Sequence, residues 1–468
     1  MSRVMSELVE TFKRVLAEVS PQLSVEKALQ VQNNQLKVNN REYALNQNVR
    51  IVAAGKAAVQ MVIGAENVLK DHVRDGIASI PIRFKVIVPT SLKTKFYEAA
   101  EHNLPDELAM QNTEKILNFI NIPDKSNFIN LFLISGGASA LLCLPVDGVS
   151  LEDKLSVTKL LASSGADITE LNTVRIALSK VKGGQLVQQA VSSTSISLII
   201  SDIVGGRIEK VGSGPTVQQH IDLQKAKQVL MKRGVWEKVP KNVQSFLETS
   251  PSKNKIQQSA GIENVLICDN RILLENFKQQ LESNGIKTTI INSELEGNAQ
   301  EVGEQFAETL KEWLVGNSAI RPPFNKNNID TSTCTRFAWL YGGETTVQFP
   351  ADFNNPNAKG GRNQEMVLAA FNKLRIDLAN IQKLTDRTFY FASLGTDGQD
   401  GPTDATGALI HSDDLSQQDP IVDKCSEYLN AKNSYHFWSN FRNSDRLVKI
   451  GKTGNNLMDV QLIVFESK

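Results

Sequence analysis

The stretch VRIVAAGKAAVQMVIGAENVL (residues 49–69) carries the fold class. An apolar, β-prone run over Val49–Ala53 leads through Ala54 into Gly55 and Lys56, and helical periodicity over Ala57–Leu69 begins at once. A strand that is mostly apolar rather than alternating is one buried on both faces; a helix directly after it suits the crossover to a parallel neighbour. The pattern recurs along the chain. Further strand candidates are Phe84–Val88, Asn130–Ile134, Ile196–Ser201, Asn264–Cys268 and Thr288–Ile291. Helical periodicity covers Leu151–Ala162, Leu171–Lys180 and Ile272–Asn284. These alternations predict an α/β protein with a mostly parallel sheet covered on both faces.

Bulk properties narrow the field without naming a function. A chain of 468 residues is long enough for two or three domains. Basic and acidic residues balance at 51 each, so global charge points to neither nucleic acid nor an acidic membrane. Cys143, Cys268, Cys334 and Cys425 are scattered, with no metal spacing, which suits buried free thiols in a reducing compartment. Apolar runs such as Ile129–Ile134 are too short to span a bilayer. The first residues, MSRVMSELVETFKRVLAEV, have helical apolar spacing, and Glu7, Glu10 and Glu18 argue against a mitochondrial transit helix. A cytoplasmic protein is expected. Gly316–Cys334, with two prolines and several Asn and Ser residues, reads as a linker, and a smaller α/β unit over about 335–466 follows it.

In open parallel sheets ligands collect at the carboxyl ends of the strands, and here those ends hold the unusual residues. Gly55-Lys56 follows the first strand, Ser135-Gly136-Gly137-Ala138-Ser139 the 130–134 strand, and Ser201-Asp202 the 196–200 strand. Another loop reads Gly212-Ser213-Gly214-Pro215-Thr216. In the C-terminal unit Gly342-Gly343-Glu344 precedes Gly360-Gly361-Arg362, which opens a helix. Glycine-flanked helix starts present N–H groups to phosphate oxygens. Lys56 and Arg362 each fall in the first turn of a predicted helix, where a cation is unfavourable unless an anion lies beside it. Farther on, FYFASLGTDGQDGPTDATGALI (389–410) places Asp397, Asp400 and Asp404 on a Gly- and Pro-rich loop after a strand. Aspartate and glycine are ordinary turn residues, but three clustered carboxylates also suit a metal, a ligand hydroxyl or a cationic partner. A calcium EF-hand is excluded, because the twelfth position from Asp397 is Ala408.

Standard signatures are absent. Gly451-Lys452-Thr453 ends like a P-loop, but the leading glycine position is Arg446; the GxG at 212–214 meets Val217 where a third glycine is needed. The residues alone lead to an α/β enzyme that binds a phosphorylated small molecule.

The ordered motifs LISGGASALL (133–142), ELNTVRIALSKVKGG (170–184), SDIVGG (201–206) with GSGPTV (212–217), GGETTV (342–347), GGRNQE (360–365) and GTDGQDGPTDATGA (395–408) resemble class II glycerate kinases. The similarity runs from GKAA at 55–58 to NNLMDV at 455–460, and EAAEHNLPDE (98–107) is similar to the animal members. The resemblance implies a Rossmann-like N-terminal domain over 1–325, a C-terminal MOFRL domain over 335–466 and a cleft between them. It implies ATP-dependent phosphorylation of D-glycerate, 2-phosphoglycerate being the favoured product, with magnesium accompanying the nucleotide. On it Lys56 and Arg362 are the catalytic cations. Gly55, Ser135, Gly136, Gly137, Ser139, Arg175, Lys182, Asp202, Ser213, Gly214, Glu344, Asp397, Asp400 and Asp404 fall on substrate- or nucleotide-binding segments. Arg175 suits the glycerate carboxylate, since its planar fork matches that group. The aspartate acting as base and the metal ligands stay open.

Departures from the family pattern are specific. The segment after Ser201-Asp202 reads Val204-Gly205-Gly206-Arg207, where relatives carry VGDP; Ala138 replaces a glycine, and Ile176 a basic residue. They keep two alternatives in view: a drifted member that binds without turnover, and a hydroxypyruvate reductase. Oligomeric state is not legible.

Overall fold

The computed structural model describes residues 3–82, 88–121, 128–190, 194–250, 262–317, 319–325, 329–330, 335–379, 381, 384–416 and 419–467. It divides into two compact units. One comprises 20–203 and 207–268, the other 1–19, 204–206 and 269–468.

The first unit is built on a sheet of six strands: β1 (Val49–Ala54), β2 (Val73–Pro81), β3 (Thr94–Ala99), β4 (Ile129–Ile134), β5 (Thr194–Ile200) and β6 (Ile262–Cys268). Their order is β3-β2-β1-β4-β5-β6, every pair parallel. This is the doubly wound arrangement, with its topological switch point between β1 and β4. Every residue of β1 and β4 is buried, as mostly apolar central strands require, and so are the polar Asn130 and Arg50, the latter donating to Asp75 at 2.9 Å. The strands β2 and β3 escape the sequence pattern. The first carries Arg74, Asp75 and Gly76 among its apolar residues, and the second is an edge strand with four of its six positions exposed or part-exposed. Of the expected strand Phe84–Val88, residues 84–87 lie outside the described residues, and Val88 is in no regular element.

Helix α1 (Ala58–Leu69) leaves β1 after a tight turn, and α2 (Glu107–Ile120) lies between β3 and β4 in the chain. After β4 come α3 (Leu151–Ser163) and α4 (Ile168–Ala177). Both start at capping boxes, Ser150 with Asp153 and Asp167 with Glu170, which satisfy backbone N–H groups that a helix start leaves unpaired. Glu170 also binds Lys232 at 3.0 Å and Arg233.

The second unit holds a mixed sheet of β7 (Lys287–Leu295), β8 (Arg336–Gly343), β9 (Thr388–Gly395), β10 (Gly407–His411), β11 (Leu447–Val448) and β12 (Asp459–Glu466). Its order is β7-β8-β12-β9-β10-β11, with only β7 and β8 parallel. Helices α5 (Asn270–Ser283), α6 (Ala299–Leu314) and α7 (Arg362–Leu378) and the N-terminal helix Arg3–Glu18 belong to this unit. Its core is aromatic: Phe337 and Phe465, paired across β8 and β12, stack at 4.7 Å, and Trp313 packs edge-on against both.

This division departs from the expected boundary at 325. Residues 269–325 and the N-terminal helix join the MOFRL side because β7 hydrogen-bonds in parallel to β8, which makes β7, α6 and β8 one crossover unit. The expected linker 316–334 therefore runs within one unit, where Ala319–Ile320 pairs with Ile329–Asp330. Cys143, Cys268 and Cys425 are buried, whereas Cys334 lies outside the described residues. Among the described residues no helix is long and apolar enough to cross a membrane.

Candidate active site

Parallel pairing aligns the carboxyl ends of the central strands: Ala54 lies opposite Ile134, and Ile134 opposite Ile199. Register alone thus brings Gly55-Lys56, the Ser135–Ser139 loop and Ser201-Asp202 to one edge, at the switch point. The loops are stitched together. Lys56 N donates to Gly136 O at 2.8 Å, Ser135 N to Ala54 O at 3.1 Å, and Ala57 N to the buried Ser135 Oγ at 3.1 Å. Gly55 has φ +128°, and a Cβ there would stand 2.2 Å from Ser135 Oγ. The Asp202 carboxylate lies against Gly136, where a Cβ would sit 1.9 Å from Oδ2, and the Lys56 stem runs along Gly137, 3.0 Å from its would-be Cβ. Backbone without side chains is what lets a carboxylate and an ammonium stem share this rim. Lys56 is exposed and lies one residue before the N-cap of α1. Burial pushes the Asp202 carboxyl above the usual range, opposed by its own backbone N–H and the Lys56 charge.

Next to this edge is a cavity of about 620 Å³, lined by Lys56, Gly137 and Ser139 and by Lys154, Arg175 and Lys182 among others. Lys182 is 1% exposed and its Nζ donates to Ser139 O (2.8 Å), Ser139 Oγ (3.1 Å), Leu142 O (3.2 Å) and Gly212 O (3.5 Å). It is a tether beneath the loop. Burial, then the Lys154 charge, drives its pKa well down. Arg175 is half-buried on α4, and burial lowers its pKa. Ser213 is buried, donating to Asn172 Oδ1 at 3.0 Å and meeting Ser139 Oγ at 3.1 Å. Gly214 O accepts from Gly184 N at 2.7 Å. These contacts make Ser213 and Gly214 scaffold for the Ser139 loop, rather than groups open to a ligand.

In the second unit Arg362 is the first residue of α7. Its Nε and Nη2 donate to Asp459 Oδ2 (2.5 Å) and Oδ1 (2.9 Å), and Nη1 pairs with Glu344 at 2.8 Å. Burial works against its charge, but Asp459, Glu344 and Asp400 hold the pKa above the ordinary arginine value. Asp459, fully buried, also accepts from Asn363 Nδ2 at 3.0 Å; burial pushes its carboxyl up and Arg362 pulls it back. Asp459 was not among the expected site residues. Its signal is an aspartate heading the mostly apolar run Val460–Phe465, a place where a carboxylate needs a strong partner.

The loop carboxylates separate into three roles. Asp400 is 2% exposed and caps α7: Oδ1 accepts from Asn363 N (3.1 Å) and Nδ2 (3.2 Å), Oδ2 from Gln364 N and Nε2 (both 2.9 Å). Gly361 leaves the space, since a Cβ there would meet Asp400 Oδ1 at 2.2 Å. Burial lifts the Asp400 carboxyl to about 6 against those N–H groups. Asp400 is thus a structural anion rather than a ligand-facing one. With Asp459 and Glu344, it supplies the negative charge that a cation at the α7 start requires. Asp404 is exposed and takes Tyr435 Oη (2.6 Å) and Lys449 Nζ (2.9 Å), both of which lower its pKa. Asp397 is exposed and accepts from Gln399 N at 2.9 Å, a local turn contact. Among the described residues no group of three or more His, Cys, Asp or Glu is gathered to cage a metal.

Three family departures are absorbed by the packing. Ala138 is fully buried with its methyl directed at Gly212, and Ile176 lies in an apolar cluster with Val157 and Leu161. Gly206 adopts φ +62°, a conformation in which aspartate would be strained.

Residues 7–248 match a domain of unknown function, DUF4147, and residues 337–459 match the MOFRL family. Rat glycerate kinase is 32% identical over 95% of this chain and 90% of its own length. Glycerate 2-kinase of Pyrococcus horikoshii is 32% identical over 96% of this chain and 94% of its own. The crystal structure of Thermotoga maritima glycerate kinase matches with a TM-score of 0.78 and 28% identity, covering both chains completely. A doubly wound domain with a lysine at its switch point, combined with a MOFRL domain, defines a phosphotransferase class of α/β protein. Within it, the chain belongs to the class II glycerate kinase family.

Proposed function

We propose that this chain transfers the γ-phosphoryl group of ATP to a hydroxyl of D-glycerate, with 2-phosphoglycerate as the product. The observation that carries the reading is the switch-point edge, where exposed Lys56 and the raised Asp202 carboxyl border side-chain-free backbone at Gly136 and Gly137. Phosphoryl transfer needs little covalent help from a protein; it needs positioned charge. In this reading the glycerate hydroxyl attacks the γ-phosphorus, the bond to the ADP oxygen breaks, and the hydroxyl proton passes to a carboxylate. Charge spread over the transferring oxygens calls for cations, and Lys56 is the proposed catalytic cation of the first unit, Arg362 that of the second. Asp202 suits the base better than Asp400, whose oxygens already accept four N–H donors. The name of the Pyrococcus relative supports phosphorylation at the 2-position.

The donor set fits magnesium that arrives on the nucleotide. That ion keeps several waters and takes one or two carboxylates rather than a protein cage. Asp397, exposed and accepting from Gln399 N at 2.9 Å, is the carboxylate that would hold it. When bound, magnesium would neutralise phosphate charge.

The test is a coupled assay with D-glycerate and ATP, run beside one with hydroxypyruvate and NADH, with phosphorus NMR to identify the product. ADP formation dependent on glycerate is expected. NADH loss without ADP would replace the reading with the reductase, and neither signal would reduce the chain to a binding protein. Lys56→Ala and Arg362→Ala should each lower turnover roughly 1,000-fold, to a small residual rate, with an unchanged circular dichroism spectrum; near-normal activity in either would remove that residue from the mechanism.

A further inference from the structure

Helix α3 buries Lys154, Val157 and Leu161, a stripe at helical spacing on which a lysine replaces the expected aliphatic residue. Lysines at such positions normally extend the ammonium to water. Lys154 does not: it is 5% exposed, and among the described residues its Nζ has no hydrogen-bond partner. It lines the 620 Å³ cavity described above, and every charged group in that lining is a cation. Lys182 is satisfied by four acceptors, whereas no hydrogen bond or ion pair is found for Arg175 among the described residues. Burial and the Arg175 charge both depress the Lys154 pKa, so the folded chain carries an unfavourable concentration of positive charge here. An unpaired buried ammonium is strongly disfavoured, and a core methionine or leucine would fit the stripe without that cost. The remainder of the wall is largely apolar, including Leu104, Leu151 and Leu155, and an apolar surround strengthens charge pairing relative to bulk water.

We infer that Lys154 and Arg175 form an oxyanion subsite in this cavity, taking the carboxylate or phosphate end of a small organic anion. The ammonium supplies a point charge from α3 and the guanidinium a planar fork from α4, over a floor tethered by Lys182. Only the choice of ligand, glycerate carboxylate or nucleotide phosphate, rests on the kinase reading.

Three proteins decide it: the native chain, Lys154→Met and Lys154→Gln. Inorganic phosphate should raise the melting temperature of the native chain and leave both variants unmoved, and Lys154→Met without ligand should melt above the native chain. Calorimetric titration with D-glycerate and, separately, with Mg-ATP should show one ligand weakened roughly ten- to hundredfold in both variants, the loss of a charge-assisted contact. That ligand identifies the source of the oxyanion. Equal phosphate shifts in all three proteins, or both ligands bound within twofold by either folded variant, would overturn the subsite. Glycerate phosphorylation followed in the same samples keeps the readings apart: turnover with unchanged affinities sinks the subsite alone, and lost affinity without native turnover sinks the kinase alone.

Discussion

Replacing Asp459 by asparagine tests how Arg362 is aimed. The carboxylate is 0% exposed and receives two guanidinium N–H groups and Asn363 Nδ2. Asparagine keeps the shape but turns an NH₂ toward the donors, so one charge-assisted bond is lost and the other weakened. Each is worth about 1.5–3 kcal/mol. Against that loss stand the relief of a buried charge, the Arg362 pair with Glu344 at 2.8 Å and the 30% exposure of the Arg362 side chain, which lets water replace part of the loss. A net cost of about 1–2 kcal/mol results, a melting shift of roughly 2–8 °C. The effect on rate is expected to exceed this: a guanidinium released from its clamp spends less time in the productive position, and kcat should fall roughly 10- to 100-fold. KM for D-glycerate should change little, because Asp459 acts through Arg362. Steady-state kinetics on Asp459→Asn, Arg362→Ala and the double variant give the decisive comparison. The double variant should be no slower than Arg362→Ala alone. Additive losses, or a near-normal kcat in Asp459→Asn, would refute the positioning role.

Asp400→Ala should destabilise the second unit by about 3–5 kcal/mol, since it strands the buried backbone N–H groups of Asn363 and Gln364 at the start of α7 and removes one acceptor from each of their side-chain amides; urea denaturation measures this. Asp404→Asn, altering an exposed contact with Tyr435 and Lys449, should leave turnover within twofold and stability within about 0.5 kcal/mol. Glu170→Gln probes the anchor of α4. Hydrogen bonds from Arg233 and Lys232 lower the Glu170 carboxyl from 4.5 to about 2. A depressed acid contributes stability above its unfolded value and loses it as pH falls through the folded one. The advantage of the native chain over Glu170→Gln should therefore be full above pH 5 and shrink steadily toward pH 2 in parallel denaturation curves. A pH-independent gap would contradict the assignment.

Much of the fold was legible because continuous apolar runs have few other uses. The buried strands β1, β4 and β5 had to lie in a covered parallel sheet. The strands β2 and β3 were not legible, because charged and glycine residues mask a strand that its neighbours, rather than its own pattern, hold in place. The assignment of 269–325 was hidden for a related reason: which sheet β7 joins depends on backbone pairing with β8, and backbone hydrogen bonds leave no mark on side-chain identity.

At the site, local sequence determined that Lys56 and Arg362 stand at glycine-rich helix starts, and that three carboxylates crowd one turn. Only the tertiary structure decided what each charge does. Asp400 turns inward to cap α7, Asp404 outward to Tyr435, and Asp459 arrives from 97 residues away to hold Arg362. Residue type fixes how much an uncompensated charge costs; the compensating partner is chosen by the packing of distant segments, and Lys154 is a buried charge for which the described residues supply none.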